Sequence, residues 1–320
     1  MFARLWQSAM IALARSPRVT HFMQTARITA GLRDRFVASG DATDAVARAQ
    51  ALFRDQGLRS SLFYLGEYVD QPALVDENVA AKQAVIQALR GTGLDVHVSV
   101  DMTQVGHLLD PALAARHLDT IAETLRDGAA DAPPDGLHVL MLDMEDPSVV
   151  DATIALHDGL ADRGLPVALT LQAYLKRTEA DLDAQIRRGG AVRLVKGAFV
   201  GTPAIAYTRR ADIKANSRRL IDRMFSAEAR AAGFYPIVAT HDARLTAYTR
   251  ERARAGGWPP GSYEFEMLLG VREPLARALV AEGERVRLYV PFGRDWWPYS
   301  VRRIGENPAN AWLLTRSLVG

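Results

Sequence analysis

Arg193 and Lys196 stand three residues apart in an apolar run, "VRLVKGAF", with Gly197 and Ala198 just beyond. A lysine at a strand end can form a structural ion pair, act as a Schiff-base nucleophile, or bind an anionic ligand. Gly197 and Ala198 favour the ligand, because a flat group can approach a backbone that carries almost no side chain. On an ideal strand Arg193 and Lys196 point to opposite faces, so one faces the lumen and the other needs a bulge, a ligand or a helix partner. A second basic pair, Arg302 and Arg303, lies in a helical stretch about one turn after Tyr299. Adjacent guanidinium groups suit a small carboxylate, since each offers two parallel N–H donors; a solvated basic helix face is the alternative.

The elements that must position these groups are short β-like runs, eight in all: residues 60–67, 96–101, 138–145, 167–174, 192–199, 235–242, 263–270 and 286–293. Several are near-continuous apolar stretches, as parallel strands buried on both faces should be. Helical patterns with apolar spacing of three and four separate them. Eight alternating units predict an α/β protein of the (β/α)8 barrel class. An open doubly wound sheet is the competing fold, and the lack of a G-x-G-x-x-G after an early strand counts against it. A barrel gathers functional groups at the C-terminal ends of its strands. These runs close on Glu67, Asp101, Asp143 with Glu145, Gln172, Lys196, His241 with Asp242, Glu266, and Tyr289.

The chain of 320 residues is 48% hydrophobic, with 39 basic and 37 acidic residues for a net charge of +2. Near-neutrality gives no electrostatic case for nucleic acid. The absence of cysteine excludes disulfides, thiolate nucleophiles and cysteine-bound iron–sulfur clusters. No apolar run reaches the roughly 20 residues that span a bilayer. The first 33 residues carry five arginines and no acid. That pattern imitates a transit peptide or a helix lying on a membrane, but a leading helix packed on the domain explains it more simply. The expected organisation is a helical segment over 1–58 packed on a barrel over 59–320, in the cytoplasm or peripheral to the inner membrane.

The stretches "LDMED", "LQAY", "RLVKGAF", "ATHD", "YEFEMLLGVR" and "YVPFGRDWWPYSVRRIGENPAN" resemble the monofunctional bacterial proline dehydrogenases, in order from about residue 25 to the C-terminus. The resemblance implies a (β/α)8 barrel with N-terminal helices, FAD held without a Rossmann motif, and oxidation of proline to pyrroline-5-carboxylate. It also implies a membrane quinone as electron acceptor. It places Arg193, Val195, Lys196, Gly197 and Ala198 beside the flavin, with Met144, Gln172, Thr240, His241, Asp242 and Glu306 as further contacts. Positive charge there tunes a flavin toward its reduced anionic form. Arg302 and Arg303 match the pair that grips the substrate carboxylate. Asp143, Tyr289, Leu268, Tyr299 and Phe199 match the pocket, with Asp143 and Arg193 as its catalytic pair. Glu67 matches an acid that pairs with the first arginine as a gate. With no cysteine for a thioether link, the FAD is expected to be non-covalent.

Three positions depart from the family pattern. Asp101 stands where the family has a lysine that also touches the substrate carboxylate, Glu266 where glutamine is usual, and Phe199 where tyrosine is common. Two carboxylates about 4 Å apart repel by roughly 1–4 kcal/mol, depending on how wet the site is. The exchange at 101 therefore predicts weak use of proline, through an Asp101 that pairs with Arg302, Arg303 or Lys196. Alternatively, Asp101 receives a substrate cation and changes the specificity. A flavin-binding protein without turnover and a Schiff-base lyase using Lys196 are the other readings.

Overall fold

The computed structural model describes residues 17–25, 29–38, 40–66, 69–199 and 201–305. Among the described residues, three helices precede the first strand: α1 (Pro17–Thr25), α2 (Ala30–Phe36) and α3 (Ala42–Gln56). Asp41 caps α3 by accepting from the Asp44 amide, and Gly57 ends it in the left-handed region at φ 66°.

Eight strands follow: β1 (Arg59–Tyr64), β2 (His97–Val100), β3 (Val139–Leu142), β4 (Val167–Gln172), β5 (Ala191–Val195), β6 (Tyr235–Ala239), β7 (Glu264–Leu268) and β8 (Val286–Phe292). They close in sequence order into a parallel barrel, with β1 paired to β8. Helices cross over between them, among them α4 (Pro72–Leu89) after β1 and α5 (Pro111–Gly128) after β2. The expected (β/α)8 architecture is the one present. Outward-facing Val98, Val100, Leu140, Leu142, Leu169, Val192 and Val238 pack against the helical ring in one continuous core. That layer explains the near-continuous apolar runs, because the strands are covered outside by helices and filled inside by other side chains.

The strands stop earlier than the apolar runs predict. β5 ends at Val195 rather than at 199, β1 at Tyr64 rather than at 67, and β3 at Leu142 rather than at 145. The trailing residues leave the ladder because they form the mouth. Gly197, at φ 95°, takes a conformation closed to ordinary strand residues.

A separate core ties the leading helices to the end of the chain. Met23, Leu32, Phe36 and Val37 pack with Phe63, Leu65, Trp296, Trp297, Tyr299 and Val301. The Ala38 amide also donates to Pro291 O at 2.8 Å. The helix that contributes the tryptophans spans Trp296–Gly305.

Candidate active site

The barrel lumen is filled in part by charge. At its lower end Arg287, fully buried, donates through Nε to Glu264 Oε1 at 2.6 Å and through Nη2 to Asp95 Oδ2 at 2.6 Å. Asp95 also pairs with Arg59. A small apolar cluster of Val139, Met141, Ala168 and Ile237 occupies the lumen beside this network. Ser61 and Ser99 bond across β1 and β2 at 3.0 Å.

Arg193 lies above, 4% exposed, and gathers groups from four other strands. It forms an ion pair with Asp143, donates through Nη1 to Glu266 Oε1 at 2.9 Å, and donates through Nε to Thr170 Oγ1 at 3.0 Å. Its guanidinium also lies 5.4 Å from the Tyr289 ring centroid. Tyr289 donates to Asp143 Oδ2 at 2.8 Å, which closes the cluster. Burial pushes the Glu266 carboxyl above the usual carboxylate range, against the pull of Arg193. One arginine thus faces two carboxylates, and the second is held closer to its protonated form.

Lys196 and Ala198 are exposed at the rim. Arg193 faces the lumen from β5, whereas Lys196, one residue past the end of that strand, lies at the mouth. Tyr174 reads the bend between them: its amide donates to Lys196 O at 3.0 Å. A Cβ added at Gly197 would lie 2.2 Å from the Tyr174 ring and 2.9 Å from Gln172 Oε1. Gln172 spends its Nε2 on Met144 O and Glu145 O, at 2.9 and 2.8 Å. Its buried Oε1 has no hydrogen-bond partner among the described residues, and neither does the buried Tyr174 hydroxyl.

Across the mouth, Leu268 and Tyr289 are register neighbours on β7 and β8. The Leu268 amide donates to His241 Nε2 at 3.0 Å. The imidazole is therefore an acceptor at Nε2, and its neutral form carries the proton on Nδ1. Burial, with Arg303 and Arg272 nearby, pushes its pKa down to about 4. Asp242 caps the helix Ala243–Ala255 by accepting from the Arg244 amide at 3.0 Å, and it pairs with Lys214 at 2.7 Å. Its carboxylate serves the turn that presents Thr240 and His241. Arg303 rests over the buried Tyr299 ring at 5.2 Å, one helical turn away as the spacing predicts. Phe199 is half-buried against the main core. Val195 ends β5 and Met144 is buried beside β3. Arg302 belongs to the backbone of the same helix as Arg303. Glu67 and Glu306 lie outside the described residues.

Asp101 is 7% exposed and starts the 3₁₀ turn Met102–Val105, where it forms a capping box with Gln104. Behind it is a cation that the sequence reading missed. Lys82 on α4, fully buried, donates to Gln104 Oε1 at 2.7 Å and lies 5.5 Å from the Phe63 ring. Burial pushes its ammonium pKa down while Asp101 opposes that shift. The signal was in the sequence: Val75, Asn78, Lys82, Val85, Ile86 and Leu89 form the buried stripe of α4, with a lysine in its middle. Thr170 was also missed, although it lies two residues before Gln172 on the same strand face.

A family model described as proline dehydrogenase matches residues 45–316 of the chain. Proline dehydrogenase of Deinococcus radiodurans is 34% identical over 321 residues, covering 100% of this chain and 99% of the relative. Proline dehydrogenase 2 of Bacillus subtilis is 29% identical over 286 residues, 89% of this chain and 88% of its own. Among solved structures, proline utilization A from Bdellovibrio bacteriovorus, inactivated by N-propargylglycine, superposes with a TM-score of 0.75 at 22% identity over 87% of this chain. Proline utilization A from Corynebacterium freiburgense gives 0.72 at 22% identity over 99% of this chain. The chain spans about a third of the length of both solved chains, 33% and 34%.

Proposed function

From the premise that this chain belongs to the proline dehydrogenase family, we propose that it oxidises the C–N bond of proline to the imine, pyrroline-5-carboxylate, with FAD as its non-covalent cofactor. The observation that carries this reading is the closed cluster of Asp143, Arg193, Thr170 and Tyr289 at the C-terminal mouth. It places a fixed carboxylate, a fixed cation and a phenol where the strands of a barrel deliver reactive groups.

The residues present fit a flavin. Gln172 Oε1 and the Tyr174 hydroxyl are buried polar atoms without hydrogen-bond partners among the described residues, and Gln172 Oε1 lies against the side-chain-free Gly197 backbone. Lys196 and Ala198 at the rim, with Met144, Val195, Thr240 and His241, would complete its binding site. When bound, the flavin supplies the two-electron acceptor for the carbon beside the amine nitrogen. Arg193 keeps positive charge under that region. The neutral His241 ring, held by the Leu268 amide, offers Nδ1–H as a donor of fixed orientation.

Arg303, with its neighbour Arg302, would bind the proline carboxylate, while Leu268, Phe199, Tyr289 and Tyr299 shape the apolar side of the pocket. The exchange at Asp101 predicts weak use of proline, either because Asp101 pairs with Arg302, Arg303 or Lys196 or because it receives a substrate cation. Lys82, buried behind Asp101 and bonded to Gln104, adds positive charge near that carboxylate, which favours proline over a substrate with an added positive group. Reoxidation by a membrane quinone is part of the same proposal. Among the described residues no helix is long and apolar enough to cross a membrane, so quinone contact would be peripheral.

Anaerobic mixing of the flavin-loaded protein with L-proline should bleach the flavin absorbance. Acid precipitation should release all of the colour into the supernatant. Unchanged absorbance with proline, alongside bleaching by a cationic amino acid, would transfer the proposal to that substrate. No bleaching by any amine would leave a flavin-binding protein without turnover.

A further inference from the structure

The charges that meet inside the barrel do not cancel. Among the described residues, three arginines, Arg59, Arg193 and Arg287, form ion pairs with four lumen acids, Asp95, Asp143, Glu264 and Glu266. Arg59 also meets the exposed Asp135, so the base of the barrel has no spare cation to lend. His97 on β2 does not add one. It is fully buried, and neither ring nitrogen has a hydrogen-bond partner among the described residues. Burial, with Arg287 and Arg193 nearby, pushes its pKa well below the ordinary value. An uncompensated buried carboxylate is costly enough that the group takes up a proton instead.

The donors decide which acid that is. Asp143 pairs with Arg193 and accepts from the Tyr289 hydroxyl at 2.8 Å and the Thr170 hydroxyl at 3.2 Å. Glu264 accepts two N–H groups of Arg287, at 2.6 and 3.0 Å. Asp95 lies between Arg287 and Arg59. Each of these carboxylates is held by more than one donor, which favours its charged form. Glu266 is 2% exposed and accepts from Arg193 Nη1 at 2.9 Å through Oε1, while its buried Oε2 has no hydrogen-bond partner among the described residues.

The neighbouring elements do not make up the difference. On β6 the register partner of Glu266 is Ala239, which carries no charge. On β8 it is Arg287, which directs its donors at Glu264, Asp95 and Ser60 O. Glu264 on its own strand adds like charge, and Asp143 on β3 competes for Arg193. Tyr289 on β8 gives its proton to Asp143. Burial and Glu264 push the Glu266 carboxyl up, against Arg193 and Arg287.

We propose that Glu266 is a positioning residue that keeps its carboxyl protonated at neutral pH, so that it holds Arg193 as a neutral acceptor and leaves the Asp143–Arg193 pair free of a net negative charge. Its effect on the cofactor rests on the reading that a flavin binds at the mouth; the protonation does not. Ionised Glu266 would take the group of Arg193, Asp143 and Glu266 from no net charge to one negative charge. That field opposes the gain of electrons by a nearby flavin. As the pH rises and the proton leaves, the flavin should become harder to reduce.

The test compares the unmodified protein with Glu266→Gln, which keeps the shape and the neutral state. Infrared difference spectra of the flavin-free proteins at neutral pH should show a protonated-carboxyl C=O band that the variant lacks, and the band should fade as the pH is raised. In the flavin-loaded proteins, equilibration with a reference dye at neutral pH should give reduced-to-oxidised flavin ratios within about twofold of each other. Once the band has faded, the unmodified protein should hold about tenfold less reduced flavin than the variant.

No carboxyl band at neutral pH, or a band that survives Glu266→Gln, overturns the proposal. A band that titrates while the two flavin ratios stay together overturns the positioning role. If Glu266→Gln does not fold, Glu266→Asp decides, since it keeps a carboxyl: its band must shift in frequency, and an unshifted band belongs to another acid and overturns the proposal. If the unmodified protein binds no flavin, the cofactor reading fails, and the infrared band still upholds or overturns the proton on Glu266.

Discussion

Arg193 makes its contacts with full valence: two carboxylates, a hydroxyl and a ring face share one guanidinium. Its position is over-determined, but the partners differ in use. Asp143 links it to Tyr289, whereas Glu266 lies deeper and keeps a buried oxygen without a hydrogen-bond partner among the described residues. Asp143→Asn should lower kcat/KM by about 10²-fold or more, some 2.7 kcal/mol of transition-state stabilisation, with flavin content unchanged. Near-normal turnover in that variant would remove Asp143 from the chemistry. His241 gives a pH prediction with a definite sign. Its folded pKa of about 4 lies below the ordinary 6.5, so the unfolded chain binds more protons as the pH falls. Stability is therefore full above about pH 6.5 and declines as the pH falls toward 4, by about 3 kcal/mol in all. His97 and His157, also lowered by burial, act in the same direction. Glu266 acts oppositely, because its raised folded pKa favours the folded state at low pH and loses that benefit as the pH rises. His241→Gln keeps an acceptor for the Leu268 amide and isolates one contribution. Its Tm should fall less between pH 6.5 and 4 than that of the unmodified protein, and parallel curves would refute the assignment.

At the scale of elements, the loops after the strands carry the most consequence. Gly197 must hold φ 95° with its backbone against Tyr174 and Gln172. Gly197→Ala should cost about 1–3 kcal/mol in strain alone and displace the Tyr174 ring. The variant should elute from gel filtration with less flavin per protein, and full retention would show that the bend is not part of the cofactor site. These bends also mark the limit of what the sequence discloses. The strands were legible because they are apolar and end in polar residues, and so was the grouping of Arg193, Asp143, Gln172, His241 and Tyr289. Where the backbone leaves the ladder was not, since "VKGAF" reads as strand until Gly197 turns. Lys82 escaped notice because a lysine on a helix is read as solvated. Only the apolar character of the neighbouring stripe positions showed that this one is enclosed. Asp242, expected as a cofactor contact, also caps the next helix with its carboxylate.

Across the whole molecule, the two ends of the lumen do different work. The lower network of Arg287, Glu264, Asp95 and Arg59 closes the barrel base. Glu264→Gln leaves Arg287 short of a buried counter-charge and should cost about 3–5 kcal/mol of stability. The proline KM should stay unchanged, and a raised KM would mean that the base communicates with the mouth. The barrel closure has a further consequence in time. β1 and β8 pair over six register positions, from Arg59 with Arg287 to Tyr64 with Phe292. Arg287 also donates to Ser60 O, 227 residues away in sequence. Bringing such distant strands together carries the largest loop-closure entropy in the sheet, whereas β4 and β5 meet across a short crossover. Refolding should therefore finish at this seam. In pulse-labelled hydrogen exchange, amides of β1 and β8 should gain protection in the slowest phase, after those of β4 and β5. Until then the leading helices have no finished surface to dock on, because their core includes Phe63 from β1 and the tryptophans that follow β8.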